Sequence, residues 1–195
     1  MTSPTYSLRL ATPADAAGCL AIYQPIVEQS STSFEVEVPT EQEFGARIHA
    51  GTRTWPWLVA GDSENHIAGY AYASKHRERS AYQWCVEVSA YVDPALHRSG
   101  LGRRLYEKLF ACLRAQGFQN AYAGVALPND ASIAFHRSMG FGEVGVYEDI
   151  GFKLGAWQSV NWLHKRLCQT SAGDPQPPRE LSSCCAEIET LLQDG

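Results

Sequence analysis

Hydrophobic residues recur with two different periods near the start of the chain, and the change of period marks the elements. "YSLRLA" alternates apolar and polar residues, which predicts a first strand. "AAGCLAIYQPIVEQ" repeats apolar residues at helical spacing and predicts a helix, capped by Thr12 or Asp15 and disturbed at Pro25. Thr40, with Glu43 three residues later, forms a capping-box pattern that predicts the start of a second helix.

The rest of the pattern predicts strands interrupted by two helices. A hairpin and a third long strand come first, then a helix ended by Gly117, a short buried strand, a helix from Pro128 to Gly140, and a closing strand pair. In order, these segments are "WPWLVAG", "HIAGYAYASKH", "YQWCVEVSAYVD", "LGRRLYEKLFACLRAQ", "NAYAGVAL", "ASIAFHRSM", "FGEVGVYEDIGF" and "AWQSVNWLHKRL". This order is typical of an α+β fold with a central mixed sheet and helices on both faces.

Length and composition predict one globular domain with a tail. The 195 residues are 45% apolar and 19% charged, and the Pro-rich stretch "QTSAGDPQPPRE" divides residues 1–168 from a linker and partly disordered tail over 169–195. A net charge of −5 argues against binding to nucleic acid or to acidic membranes. Because the chain has neither a leader pattern nor an apolar run of about 18 residues, we expect a cytoplasmic protein.

The six cysteines stand alone in apolar segments or as the adjacent pair Cys184 and Cys185. No C-x-x-C spacing is present, so we predict reduced thiols and no metal site. By sequence, none of the cysteines falls in the candidate site described next.

The stretch "YVDPALHRSGLGRRLYEKLF" places glycines where a helix begins. Backbone amides at Gly100 and Gly102, together with the positive end of the helix dipole, favour an anion such as a pyrophosphate. The plain alternative is a strand-to-helix turn that needs glycines for steric reasons. A dinucleotide-binding G-x-G-x-x-G motif is excluded, because its third glycine would fall at Leu105.

Glu87 is a carboxylate inside the apolar strand segment "WCVEVSAYV", where burial is costly. Alternation places it on one face with Cys85 and Ser89, and that face is expected to be only partly buried. The functional alternative is a general base whose pKa is raised by its surroundings.

The chain resembles the GCN5-related N-acetyltransferase (GNAT) superfamily, whose loop Q/R-x-x-G-x-G/A corresponds here to "HRSGLG", with His97 in place of Gln or Arg. More narrowly, "ERSAYQWCVEVSAYVDP", "ALPNDASIAFHRSMGF" and "GFKLGAWQSVNWL" resemble the phosphinothricin N-acetyltransferase family over residues 6–168. The resemblance implies the GNAT fold, with a mostly antiparallel sheet, and acetyl-CoA as cosubstrate without a metal.

The resemblance also assigns residues to the cosubstrate and to the reaction. Glu87 is implied as the catalytic base, acting through water. His136 lies seven residues after Asn129, where the superfamily usually has a Tyr; it is either a catalytic acid or base, or a solvated side chain. Asn129 has a second interpretation as a helix cap. The implied cosubstrate contacts are Ala90, Tyr91, Val92, His97, Arg98, Ser99, Gly100, Leu101, Gly102, Arg103, Asn129 and Ser132.

The implied acceptor is a small amine or amino acid with an anionic group, acetylated on its α-amine by direct transfer in a ternary complex. Phosphinothricin and methionine sulfoximine are examples. Arg79 is expected to clamp the anionic group, and the other implied acceptor residues are Phe34, Tyr82, Lys153 and Trp157. The family also implies a homodimer. Two alternatives stay open: acetylation of another small amine, and a non-catalytic module that binds acetyl-CoA.

Overall fold

The computed structural model of the protein describes residues 6–168 and 174–193. Its strands are β1 Ser7–Leu10, β2 Trp57–Gly61, β3 Ile67–Lys75, β4 Cys85–Val92, β5 Asn120–Ala126, β6 Gly142–Lys153 and β7 Ala156–Arg166. Its α-helices are α1 Ala16–Gln29, α2 Glu41–Gly51, α3 Leu101–Gln116, α4 Asp130–Ser138 and α5 Cys185–Gln193. The predicted α+β class is confirmed.

The strands form one sheet in the order β1-β2-β3-β4-β5-β7-β6. Neighbours in this sheet are antiparallel except β4 and β5, which run parallel and pair over Cys85–Glu87 and Asn120–Tyr122. Beyond this point the two strands no longer pair with each other: residues 88–92 of β4 pair with β3 alone, and residues 123–126 of β5 pair with β7 alone. The two parallel strands therefore diverge, and we call the gap between these two segments the wedge.

Helices cover both faces of the sheet, as predicted, and alternation along β4 decides which side chains meet them. Val86 and Val88 are buried in the core formed with α3. The opposite face packs against α1 and α2, where Phe44, Ile48 and Tyr70 are buried. Val86 and Val88 thus face the α3 layer, and Glu87 between them lies on the opposite face and is only partly buried.

Two local predictions need correction. Pro25 does not interrupt α1, which is continuous from Ala16 to Gln29. The third long strand begins later than predicted, because Ser80–Tyr82 forms a short 3₁₀ turn before β4. The predicted capping box of α2 is confirmed: the Glu43 amide donates to Thr40 Oγ1 at 3.2 Å, and the Thr40 amide donates to Glu43 Oε2 at 2.7 Å.

The C-terminal segment, residues 174–193, packs on the domain. Four of its apolar side chains enter the core beside α3: Leu181, Cys184, Ile188 and Leu192. Gln116 donates its side-chain amide to Arg179 O at 2.9 Å. The rest of the predicted linker and tail, residues 169–173 and 194–195, lies outside the described residues. The division of the chain at residue 168 stays a prediction, although part of the expected appendage contributes to the core.

Replacing Ile188 with Ala is expected to lower the free energy of unfolding by about 2–5 kcal/mol, because its side chain is completely buried against α3. Urea denaturation measures the change. The control is Glu189→Ala, at the exposed neighbouring position of the same helix, which should stay within about 0.5 kcal/mol. Equal stability of the two variants would mean that α5 does not fold onto the domain.

Over residues 6–168 and 174–193, none of the helices has the length and apolar character needed to cross a bilayer. In the same residues, no three His, Cys, Asp or Glu side chains gather as metal ligands do. The six cysteines are free.

Candidate active site

The loop from β4 to α3 presents backbone amides at the mouth of the wedge. Arg98 and Gly100 adopt left-handed backbone angles, with φ of 64° and 87°, and α3 begins at Leu101. The first amides of an α-helix have no partner within the helix, and they carry the positive end of its dipole. A Cβ added to Gly100 would meet no atom within 4 Å, so the space above this residue is open. The loop has the features of an anion site.

The side chains around this loop tie α3 to its neighbours. Arg103 donates to Ser138 Oγ at 3.0 Å and lies 3.7 Å from Glu107. His97 Nε2 lies 3.2 Å from Val92 O, the last residue of β4. The Arg103 guanidinium is thus engaged with α4 and with its own helix, and the backbone amides of the loop are candidate donors to an anion.

The start of α4 borders the same mouth. Asn129 Oδ1 accepts a hydrogen bond from the Ser132 amide at 3.1 Å, which confirms the helix-cap interpretation. A Cβ added to Gly102 would lie 3.6 Å from both Phe135 of α4 and Val92 of β4. The structure therefore brings together the ends of three segments that the sequence assigned to the cosubstrate.

Glu87 occupies the last paired position of β4 before the wedge opens. Its partners in register are Ser74 of β3 and Tyr122 of β5. The side chain is 35% exposed, and burial raises the pKa of its carboxyl, an effect that the nearby Arg77 charge partly offsets. A carboxylate that holds a proton more tightly than usual, yet still reaches solvent, suits a general base.

Cys85 shares strand β4 with the candidate base. Cys85 lies on the same face as Glu87, two residues away, and accepts a weak hydrogen bond from Asn120 Nδ2 at 3.9 Å. Burial raises the pKa of its thiol. The group is therefore a neutral thiol at neutral pH and a poor nucleophile.

His136 is buried between α3 and α4, so the interpretation as a solvated side chain is wrong. Its Nδ1 lies 2.8 Å from Ser132 O, and its Nε2 lies 3.1 Å from the hydroxyl of Tyr106. A carbonyl only accepts, so Nδ1 carries the proton and Nε2 accepts from Tyr106. Burial lowers the pKa of the ring, which makes the neutral form the dominant one at pH 7.

Two of the sequence-predicted acceptor residues, Phe34 and Lys153, lie together against β6. A Cβ added to Gly151 of β6 would lie 2.5 Å from the nearest atom of the Phe34 ring, so this ring packs closely against the glycine. Lys153 is buried and donates to Ser33 O at 2.7 Å. Both contacts fix the segment between α1 and α2 on the last hairpin.

A cavity of about 280 Å³ lies beside this segment, and Ser74, the register partner of Glu87, is part of its lining. The Glu35–Arg47 ion pair and aromatic rings form its walls. Sequence reasoning missed these lining residues, because an ion pair between a loop and a helix has no spacing signal. The other lining residues are Tyr23, Phe44, Gly51, Trp55, Trp57, Tyr70, Tyr72 and Ala73.

The remaining predicted acceptor residues are placed elsewhere on the surface. Arg79 and Tyr82 are exposed and line a second cavity, of about 300 Å³, with Cys85 and with residues 178–180 of the C-terminal segment. Trp157 is 63% exposed and packs edge-on against Phe152 at 5.5 Å. The structure thus groups Phe34 with Lys153 and groups Arg79 with Tyr82, and it leaves Trp157 on the outer hairpin.

The chain is similar in sequence to known acetyltransferases. The family model described as "Acetyltransferase (GNAT) domain" matches residues 8–162. A phosphinothricin N-acetyltransferase of Streptomyces viridochromogenes is 37% identical over 172 residues, which is 88% of this chain and 91% of the relative. An L-methionine sulfoximine/L-methionine sulfone acetyltransferase of Salmonella typhimurium is 29% identical and covers 86% of this chain and 98% of the relative.

A solved structure of a related acetyltransferase has the same fold as this chain. The GNAT superfamily phosphinothricin acetyltransferase of Sinorhizobium meliloti, crystallised in complex with acetyl-CoA, matches with a TM-score of 0.82 and 34% identity. The match covers 88% of this chain and 94% of that one. The family resemblance predicted from the loop and from the strand–helix blocks is confirmed.

Proposed function

This chain belongs to the GNAT acetyltransferase family, and we propose that it acetylates the α-amine of phosphinothricin, methionine sulfoximine and related amino acids. The observation that carries the proposal is the wedge. Two parallel strands diverge one residue after a half-buried carboxylate, and a helix N-terminus with open space above Gly100 stands at the mouth. A binding site for an anionic cosubstrate and a base for the acceptor thereby lie at one place.

The residues present fit acetyl-CoA, which supplies the acetyl group as an activated thioester. The amides from Gly100 to Arg103 would hold the pyrophosphate at the positive end of the helix dipole, and the Leu101 amide would exchange its 3.3 Å hydrogen bond to Ser99 Oγ for one to the anion. Along residues 88–92 of β4 and 123–126 of β5, the backbone groups that point into the wedge, rather than toward β3 or β7, would bond to an extended polar chain. Asn129, already a cap, lies at the entrance.

Glu87 is the proposed base for the acceptor amine. An ammonium has no lone pair, so a proton must leave before the nitrogen attacks. The exposed third of the Glu87 side chain leaves room for a water to relay that proton. The transfer is proposed to be direct, and the neutral Cys85 thiol supports this because it is a poor site for an acyl-enzyme.

His136 is proposed to position the Tyr106 hydroxyl rather than to act as acid or base. Both of its ring nitrogens are already engaged, with Ser132 O and with Tyr106. Its lowered pKa leaves it without a proton to donate from Nε2 near neutral pH. Of the roles that the sequence left open for His136, these two contacts support a structural one.

The acceptor is proposed to occupy the space next to Glu87 and to carry an anionic group. Within the lining of the 280 Å³ cavity, the Glu35 carboxylate, the group that could attract a polyamine, is paired with Arg47. Arg77 and Arg79 on the loop before β4 carry charge that an approaching carboxylate or phosphinate would meet.

The experiment for this proposal compares kcat/KM across acceptors by thiol release from acetyl-CoA. The panel contains phosphinothricin, methionine sulfoximine, methionine sulfone, proteinogenic amino acids, spermidine and an aminoglycoside. The proposal expects kcat/KM for the first three acceptors to exceed that for spermidine and the aminoglycoside by at least about tenfold. These two cations have no anionic group that could pair with a guanidinium. Preference for spermidine or the aminoglycoside would overturn the acceptor assignment.

A homodimer is also proposed, through the β6–β7 hairpin. Its exposed apolar side chains lie on the edge strand β6 and the start of β7, with exposures between 43% for Val146 and 63% for Trp157. Monomers seldom leave such a contiguous patch in water. The members of this patch are Val144, Val146, Tyr147, Ile150, Phe152, Leu154 and Trp157.

Phe152→Asp combined with Trp157→Asp is expected to convert the dimer to a monomer, because two buried carboxylates would be unpaired in the interface. Light scattering during gel filtration should give about twice the 21.5 kDa chain mass for the wild type and the single mass for the variant. Ala46→Asp, on the exposed face of α2, adds charge elsewhere and should leave the mass unchanged. A monomeric wild type would contradict the proposal.

A further inference from the structure

His76, the residue after β3, is held rigidly beside the candidate base. Its ring stacks on Tyr122 of β5 with centroids 4.4 Å apart and planes 6° from parallel. Trp162 of β7 meets the ring edge-on at 5.6 Å. Only 10% of the side chain is exposed. Two strands therefore fix the orientation of this imidazole.

One ring nitrogen of His76 lacks a hydrogen bond within the described residues. Nδ1 is buried and has no hydrogen-bonding partner there. Leaving a buried polar atom unpaired costs free energy, so such atoms call for an explanation. The Glu87 Oε2 atom lies 3.8 Å from it, about 1 Å beyond a charge-assisted hydrogen bond. A small rotation of the carboxylate, or one bridging water, connects the two groups.

The groups that face His76 fix its charge. Burial, and then the Arg77 charge, lower the pKa of the imidazole. On the adjoining strands, burial raises the pKa values of Tyr72, Cys85 and Tyr122, which are neutral near pH 7. His164, whose ring lies tilted against Tyr122 with centroids 4.9 Å apart, also has a lowered pKa. The imidazole is thus neutral near pH 7, and of the groups around it Glu87 carries the negative charge.

We propose that His76 is a positioning residue for the base: its Nδ1–H orients the Glu87 carboxylate and favours the ionised form. The inference rests on the proposed role of Glu87. Nothing in the sequence patterns singles out His76, because its neighbours Tyr122 and Trp162 are distant along the chain. A donor directed at a carboxylate lowers its proton affinity, so His76 counteracts part of the effect of burial on the base.

Two variants separate this role from simple packing. His76→Phe keeps a flat ring against Tyr122 and removes the donor. His76→Asn keeps an amide N–H close to the position of Nδ1 and loses the stacked ring. Positioning predicts that the Phe variant is impaired and the Asn variant is near wild type. A purely structural role predicts the reverse order.

The readout is the pH profile of kcat/KM together with a direct titration of Glu87 by ¹³C NMR, assigned with Glu87→Gln. In His76→Phe the pKa of Glu87 should rise by about one unit, so the acidic limb of kcat/KM should move up by about one pH unit while the activity above that limb is kept. His76→Asn should stay within about threefold of wild type along the whole profile, the difference expected of a hydrogen bond of altered geometry.

The NMR titration does not need turnover, so it separates this inference from the proposed function. A raised Glu87 pKa in His76→Phe supports the inference even if no acceptor in the panel is acetylated. An unchanged Glu87 pKa in His76→Phe overturns it, whether or not the enzyme is active. Loss of activity in both variants without a pKa change would make His76 a packing residue.

Discussion

Glu87→Gln is expected to lower kcat by about 10²–10⁴-fold, the range over which a positioned general base accelerates a reaction. Gln has nearly the same shape, so the packing of β4 against β3 and β5 should persist. Because an amide cannot take the proton from the acceptor ammonium, only the chemical step is lost. The dissociation constant for acetyl-CoA, measured by calorimetry, should stay within about twofold of wild type, since the first-turn amides of α3 are untouched.

The pH profile provides a second check on the same residue. The pKa of Glu87 is raised by burial, so the deprotonated form is depleted at a higher pH than for an ordinary glutamate as the pH falls. Wild-type kcat/KM should show this acidic limb, and the residual activity of Glu87→Gln should lack it. Glu189→Gln, an exposed glutamate on α5, is the control and should keep the limb. Full activity of Glu87→Gln would remove Glu87 from the mechanism.

Gly100→Ala is expected to weaken acetyl-CoA binding by about tenfold. Its φ of 87° is costly for any residue with a Cβ, at roughly 1–2 kcal/mol, and relief of that strain would turn the first amides of α3 away from the anion. The added methyl group would also enter the open space above the loop. Calorimetric titration with acetyl-CoA measures the effect.

Gly117→Ala is the matched control, because it changes a left-handed glycine at the other end of the same helix. Its φ of 98° imposes a similar strain, and its nearest contact is Pro178 at 3.8 Å, in the C-terminal segment. Both variants should lose comparable unfolding free energy, and only Gly100→Ala should lose acetyl-CoA affinity. Equal affinities in the two variants would place the anion elsewhere.

Short-range patterns predicted most of the architecture. The ranges of α1 and α3 follow directly from apolar spacing, and the end of α3 follows from Gly117, because these signals act within a few residues. Pro25 misled the prediction, since packing of α1 against the sheet outweighs the loss of one backbone donor. The Pro-rich stretch concealed the contribution of residues 181–193 to the core, which depends on α3.

The same distinction applies to the candidate site: features within a few neighbouring residues were predicted, and contacts between distant segments were not. Glu87 and the loop before α3 were predicted because a carboxylate among apolar residues and glycines at a helix start are local anomalies. The contact of His76 with Glu87 depends on the register of three strands and on Trp162, so no sequence window contains it. The burial of His136 against Tyr106 likewise depends on how α3 and α4 pack.

The most direct test of acetyl transfer to an α-amine at Glu87 is to identify the product. Purified protein would be incubated with ¹³C-acetyl-CoA and ¹⁵N-labelled phosphinothricin, and the spectrum examined for a ¹³C–¹⁵N amide coupling. The account predicts this coupling with the wild type and at least about a hundredfold slower build-up with Glu87→Gln. Acetyl-CoA that binds but yields no coupled product would contradict the account.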